Sequence, residues 1–249
     1  MSFNVNNIIF NSTQALLDQL ATDLQQLSVS EHKIHISLSG GSTPNLLFDY
    51  IASSDYANTI NWQQLHFWWG DERCVAADDA ESNYGQCKQR LFDHIAIPEA
   101  NIHRIKGENP PAEEVLRYAQ EIQDFIPCGD HNIPQFDWII LGMGGDGHTA
   151  SIFPGQTNYD ETNLTFIATQ PQSGQLRISK TAHLIEQSKR ITYLVMGASK
   201  AEMIYTINTQ ANSGDIYPAA HISTKSGLTE FYLDPESATL LQKGNNDEC

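Results

Sequence analysis

Apolar and polar positions along this chain switch repeatedly between a period of two and a period near 3.6, the pattern of alternating strands and helices. Val5 to Phe10 reads as a first strand, and Leu16, Leu17, Leu20, Leu24 and Leu27 then form one helical stripe behind a Ser12/Thr13 cap. Ile34 to Leu38 is a strand running into Ser39-Gly40-Gly41-Ser42-Thr43-Pro44. There Thr43 is the expected N-cap and Pro44 the first residue of a helix reaching about Ala52. Leu65 to Trp69 is a strand that leads into Gly70-Asp71-Glu72-Arg73, and Ser82-Asn83-Tyr84 opens a helix that carries Leu91 and Phe92 towards the core. From Glu113 to Ile126, Val115, Leu116, Ala119, Ile122 and Ile126 recur at helical spacing. Phe136 to Leu141 is apolar apart from Asp137, which marks a strand covered on both faces at the centre of a parallel sheet. Further strands are expected at Phe166–Thr169, Leu176–Ser179, Ile191–Met196 and Glu230–Leu233, with a helix from Ser199 to about Ile207.

This alternation, free of repeats and linkers, predicts an α/β fold. The expected architecture is one doubly wound, mostly parallel sheet with helices on both faces, forming a single domain over residues 1–249. A chain of 249 residues buries roughly 70% of its unfolded surface and needs no disulfide or metal staple. Ligands of such sheets sit beyond the carboxyl ends of the strands.

Charge narrows the partners. With 14 Lys plus Arg against 30 Asp plus Glu, the net charge is −16, which argues against nucleic acid and anionic membranes. No apolar run approaches the roughly 20 residues of a membrane-spanning helix. Met1 to Phe10 lacks a basic region followed by an apolar core, so no secretory signal is read and a cytoplasmic protein is expected. Cys74, Cys87, Cys128 and Cys249 show neither C-x-x-C nor zinc-finger spacing, which predicts reduced thiols and no metal. The glycosylation patterns at Asn11 and Asn163 carry no weight without export.

Three strand ends carry polar, glycine-rich segments. In the first, Gly40 and Gly41 let a ligand approach the backbone, Ser42 and Thr43 add hydroxyls, and the following helix offers its N-terminal N–H groups to an anion. Taken alone it is equally an ordinary capped turn. The second, Gly70-Asp71-Glu72-Arg73, is a surface ion pair if isolated. At the end of a buried strand it becomes a set of candidates for proton transfer and for contacting hydroxyls or phosphate. The third, Gly142 to Ser151, literally contains G-x-G-x-x-G. A dinucleotide site is disfavoured because Pro154 cuts the following helix short and Asp160 and Glu161 lie in a polar stretch. What the third segment does offer is His148, expected near a helix N-terminus whose dipole favours the neutral imidazole, with Asp146 two residues earlier. The pair reads as a general base and its orienting carboxylate.

Together these segments, with Ser82-Asn83-Tyr84, Ile152-Phe153-Pro154 and Gly197-Ala198-Ser199-Lys200-Ala201, resemble the 6-phosphogluconolactonase family and its broader relatives, the glucosamine-6-phosphate isomerases/deaminases. The likeness spans nearly the whole chain in order. It departs at Gln172–Gln175, where the family has a proline-rich approach to Arg177, and at Tyr217–His221. It implies a Rossmann-type sheet and cofactor-free, metal-free hydrolysis of 6-phospho-D-glucono-1,5-lactone to 6-phosphogluconate in the pentose phosphate pathway. It also implies that Gly40, Gly41, Ser42, Thr43, Arg177 and Lys200 hold the phosphate, with His148 catalytic, Asp71 at the position that handles substrate protons in the deaminases, and Arg73 the lactonase-type residue at the pocket mouth.

The chemistry requires a base for the attacking water and an acid for the departing ring oxygen, and His148 can serve as both in turn. Asp146 would stabilise the imidazolium and fix its tautomer. N–H groups of the Gly144–Gly147 turn, Gly144 and Gly145 among them, or Arg73, would hold the oxyanion. A covalent serine route has no G-x-S-x-G elbow to support it, and Ser151, expected on the same short helix as His148, reads as capping or packing. Deamination of an amino sugar phosphate is disfavoured by Arg73, where deaminases have tyrosine, and by the missing glutamate beside the histidine. A non-catalytic sugar-phosphate sensor would normally carry a DNA-binding segment, yet Ser12 to Leu27 holds no Lys or Arg. A small phosphorylated lactone is thus the expected partner, and a monomer or weak dimer the expected assembly.

Overall fold

The computed structural model describes residues 6–244. Met1–Val5, with the expected start of the first strand, and Cys249 lie outside the described residues. The strands are β1 (Asn7–Ile9), β2 (Ile34–Leu38), β3 (Leu65–Trp69), β4 (Asp71–Arg73), β5 (Ile102–His103), β6 (Trp138–Leu141), β7 (Thr165–Thr169), β8 (Leu176–Lys180), β9 (Arg190–Val195) and β10 (Leu228–Leu233). Seven of them form one parallel sheet in the order β1-β10-β9-β6-β2-β3-β5, with the apolar run of β6 at its centre as its sequence predicts. Every residue of β2, β3 and β6 is buried, so both faces of the sheet centre are covered. From β2 the chain moves outward through β3 to β5, returns to β6, and continues the other way through β9 and β10. The connections after β2 and β6 therefore diverge and open a crevice at this switch point. No helix among the described residues is long and apolar enough to cross a membrane.

Three strands leave this layout. β4, β8 and β7 form a separate antiparallel sheet, so the α/β class holds while the expected single sheet becomes two. Gly70 makes the exit: its N–H donates to Leu38 O at 2.8 Å, and its C=O accepts from Lys180 N–H at 2.8 Å. One peptide thus belongs to both sheets.

Two helical details also differ from expectation. The helix after β2 starts at Ser42, with Gly41 as N-cap at φ 109° and no side-chain cap, so Thr43 and Pro44 lie inside the first turn. Proline is tolerated there because first-turn N–H groups have no intrahelical partner. In the helix Pro111–Phe125, Leu116 is 70% exposed, and the buried stripe is Glu114, Tyr118 and Ile122. Glu114 can be buried because Lys106 N–H, Asn109 Nδ2 and Arg117 Nε all donate to its carboxylate. A fully satisfied carboxylate wins the inward face over a leucine two positions away.

Beneath the sheet centre sits an unusual polar pair of features. Lys180 is completely buried. Its Nζ donates to Ser37 Oγ at 2.6 Å and lies 4.0 Å from the Phe136 ring centroid, and burial pushes its pKa well below the ordinary lysine value. On β2, β3 and β5, His35, His66 and His103 lie side by side. His66 Nδ1 and His103 Nε2 are 2.9 Å apart, His103 Nδ1 meets Glu121 at 2.9 Å, and Trp68 Nε1 donates to His35 Nδ1 at 3.1 Å. Burial lowers the pKa of His35 and of His66 to about 4, with the neighbouring histidines adding to the effect and Asp137 opposing it at His35.

Because the folded values lie below the unfolded value of about 6.5, the unfolded chain takes up these protons first. Stability is full above that pH, falls as pH drops from about 6.5 towards 4, and then levels, with a slope near 1.4 kcal/mol per pH unit for each histidine titrating. The urea midpoint is accordingly expected to be lower at pH 5 than at pH 7, and the difference to shrink in His66→Gln.

Candidate active site

Each of the three glycine-rich segments hangs from the carboxyl end of a buried strand, and all three face one cavity of about 240 Å³ at the switch point. Its wall includes the Ser39–Pro44 loop, Asp71, Arg73, His148, Arg177 and Lys200. Gly40, Gly41, Ser42 and Thr43, the expected phosphate loop, thus line one cavity with both expected cations.

Gly40 is required by space: a Cβ there would lie 1.9 Å from Asn83 Oδ1. Gly41 is required by conformation, since φ 109° disfavours any residue with a Cβ. The first-turn N–H groups after Gly41 point from a helix of 11 residues, with its positive dipole end at the cavity.

Antiparallel pairing of β4 with β8 sets Arg73 directly opposite Arg177. Two like charges in register are unfavourable on a sheet; a carboxylate offsets one of them and a main-chain carbonyl engages the other. Asp71 Oδ2 lies 3.7 Å from Arg177 Nη1, and Arg73 Nη1 donates to Glu81 O. Burial pushes the Arg177 pKa down and Asp71 counters it. Asp71 is itself 5% exposed and fully engaged: Ser151 Oγ donates to it at 2.6 Å and Asn83 Nδ2 reaches its Oδ1 at 3.5 Å. Ser151 therefore serves Asp71, on a turn and not on a helix face shared with His148.

The expected short helix after His148 is absent. Thr149 and Ile152 pair across a tight turn instead, with Gly147 at φ 79° and Ala150 at φ 48°. No helix starts beside His148 to act on the imidazole; its orientation comes from Asp146, whose Oδ1 lies 2.6 Å from His148 Nδ1. Burial works against the Asp146 charge, but the hydrogen bond and charge of His148 outweigh it and hold the carboxyl below its ordinary value. Gly144 makes room for the pair, since a Cβ there would sit 2.1 Å from His148 Nδ1. Of the turn amides expected at the oxyanion, Gly144 N–H donates to His148 O at 2.8 Å and Gly147 N–H to Gly144 O at 3.1 Å. Gly145 is exposed and does not line the cavity. From behind, Ala219 N–H donates to Gly147 O at 3.0 Å and the Tyr217 ring covers Gly147, so the loosely matching 217–221 segment buttresses the histidine turn.

Lys200 follows Gly197, at φ 91°, at the end of β9. Burial lowers its pKa and Asp146 draws it back up, which places this ammonium within electrostatic reach of the dyad. The wall also contains Asn83, Met143, Ala150 and Leu194–Met196, to which the sequence assigns no role. Asn83 had a usable signal, its place in Ser82-Asn83-Tyr84 after the acidic strand end. The others contribute shape, which has no signature at the level of residue type.

The sequence profile of a family described as "Glucosamine-6-phosphate isomerases/6-phosphogluconolactonase" matches residues 11–231. The chain belongs to this family. It is 55% identical over 237 residues to a 6-phosphogluconolactonase of Haemophilus influenzae, covering 95% of this chain and 100% of that protein. A crystal structure titled "devB protein" superposes with a TM-score of 0.92 at 52% identity, covering 95% of this chain and 99% of the other. A monomeric glucosamine-6-phosphate deaminase superposes at 0.78 with 21% identity, covering 95% and 100% of the two chains, so the family's fold extends across both chemistries.

Gly144→Ala is expected to push the imidazole off Asp146 while the sheet stays folded. The Asp146 carboxyl, followed by carbon NMR through a pH titration, then rises towards its ordinary value in the variant.

Proposed function

We propose that this chain hydrolyses 6-phospho-D-glucono-1,5-lactone to 6-phospho-D-gluconate, as an ester hydrolase of the oxidative pentose phosphate route. The observation that carries the reading is the His148–Asp146 pair on the wall of a cavity whose other walls supply an anion loop and three cations. The 55% identity to a lactonase over nearly the full chain supports it independently.

The phosphate sits on the first-turn N–H groups at Ser42 and Thr43, with Arg177 and Lys200 closing over it. That leaves the lactone carbonyl facing His148. Because Asp146 occupies Nδ1, Nε2 is the nitrogen left to take a proton from water as the water oxygen attacks C1. The imidazolium that forms is stabilised by Asp146 and returns the proton to the ring oxygen as the C1–O bond breaks. With the Gly144 and Gly147 amides engaged in the turn, Arg73 is the donor assigned to the oxyanion, a contribution of about 3 kcal/mol by analogy with other acyl-transfer sites. Asp71, surrounded by donors, anchors Arg177 and leaves base catalysis to His148.

The same reading carries a single domain over residues 1–249, supported by an edge strand from Asn7–Ile9 that pairs with β10. It also carries a cytoplasmic setting, and a monomer or weak dimer acting on a small phosphorylated lactone.

His148→Ala is expected to lower the catalysed rate by about 10²- to 10⁴-fold, measured as 6-phosphogluconate formation corrected for spontaneous opening. A variant that keeps the wild-type rate overturns the assignment. Glucosamine 6-phosphate is expected to release no ammonia; release would favour the deaminase chemistry of the wider family.

A further inference from the structure

Behind the cavity wall lies a carboxylate that the mechanism leaves unused. Glu72 is 2% exposed and sits on β4 between Asp71 and Arg73. Alternation along a strand turns it away from the face those two residues share. Its oxygens receive four hydrogen bonds. Oε1 accepts from the N–H groups of Arg73 and Asn83, both at 2.8 Å, while Oε2 accepts from Tyr84 N–H at 2.8 Å and from Ser82 Oγ at 3.0 Å. Four donors suit the ionised form, because a proton on either oxygen would set a donor against a donor. Burial pushes this carboxyl above its ordinary value while the three backbone N–H groups draw it back.

The clamp does more than cap a helix, since Ser82 Oγ already accepts Gly85 N–H at 3.0 Å in that role. What Glu72 adds is a fixed place for Asn83, which touches two walls of the cavity. Asn83 Nδ2 donates to Asp71 O at 2.9 Å, and its Oδ1 fills the space above Gly40. Asp71 in turn faces Arg177.

We propose that Glu72 is a positioning residue of the lactonase site: by fixing Arg73, Ser82 and Asn83 together, it sets the distance between the Gly40–Thr43 anion loop and the Asp71–Arg73–Arg177 wall. It thereby sets the length of phosphorylated sugar the cavity accepts. This inference rests on the lactonase reading above.

The test is Glu72→Gln, which keeps the shape and turns one acceptor into a donor. Inorganic phosphate, held by the loop N–H groups, Arg177 and Lys200 but with no sugar to fix its distance from the wall, can follow a shifted wall and is expected to bind wild type and variant within about twofold by NMR titration. 6-Phosphogluconate, which spans loop and wall, is expected to bind about tenfold more weakly by calorimetry, with kcat/KM for the lactone falling about 10- to 100-fold, chiefly through KM. In the background of Asn83→Ala the same substitution is expected to add little further loss, because its effect runs through Asn83. Equal binding of both ligands by wild type and folded variant overturns the proposal, and so does a parallel weakening of both. Should Glu72→Gln fail to fold, Asn83→Ala carries the test, since it must show the same contrast between phosphate and 6-phosphogluconate. A wild-type protein that binds 6-phosphogluconate with this contrast but does not hydrolyse the lactone overturns the proposed function and leaves the positioning role standing.

Discussion

The peptide at Gly70 is the constraint on which the site depends. Its N–H completes the pairing of β2 with β3, and its C=O starts the ladder that holds β8. Were the large sheet simply continued, the residues after β3 would run on alongside β2. Because the chain exits at Gly70, Asp71 and Arg73 turn over the crevice at the switch point and meet Arg177 across an antiparallel register. A fold that binds ligands at the carboxyl ends of parallel strands gains a wall from residues more than a hundred positions apart.

That wall solves an electrostatic difficulty. The chain carries a net charge of −16, and an anionic ligand approaching it meets a repulsive field at long range. Within the cavity the balance reverses: Arg73, Arg177 and Lys200 converge where burial keeps water from screening them. Two of the three have an acidic companion, Asp71 for Arg177 and Asp146 for Lys200, while Arg73 rests on the main-chain carbonyl of Glu81. Two of the chain's 30 acidic residues, Asp71 and Asp146, are thus used at the site to hold cations in place and to orient the imidazole.

Much of this was legible in the residues. The central strand at Phe136–Leu141, the anion loop, and the grouping of His148 with Asp146, Arg177 and Lys200 follow from periodicity, glycine placement and family resemblance, and the structure brings these residues together. What escaped depends on hydrogen bonds between distant segments. The β7–β8 hairpin looks like any other pair of strands until Gly70 commits β8 to β4. The turn after His148 reads as a helix because nothing local announces that Thr149 will pair with Ile152 or that Ala150 will adopt a positive φ. Leu116 fits the helical stripe, and only the donors that Lys106, Asn109 and Arg117 gather around Glu114 reveal that the inward face is polar. Glu72 stands in the Gly70-Asp71-Glu72-Arg73 segment, but its meaning lies in amides ten or more residues away.

Ala150 itself illustrates how such a pocket is maintained. Held at φ 48° on the cavity wall, with an added Gly70 Cβ falling 3.8 Å from its methyl, it occupies a backbone region that costs an L-residue roughly 1–2 kcal/mol. Glycine would relieve that strain, yet alanine is what stands there. The turn is therefore less comfortable than it needs to be, and a lineage selected for heat resistance alone would be drawn to give the methyl up, trading a defined contour for a looser, hardier loop.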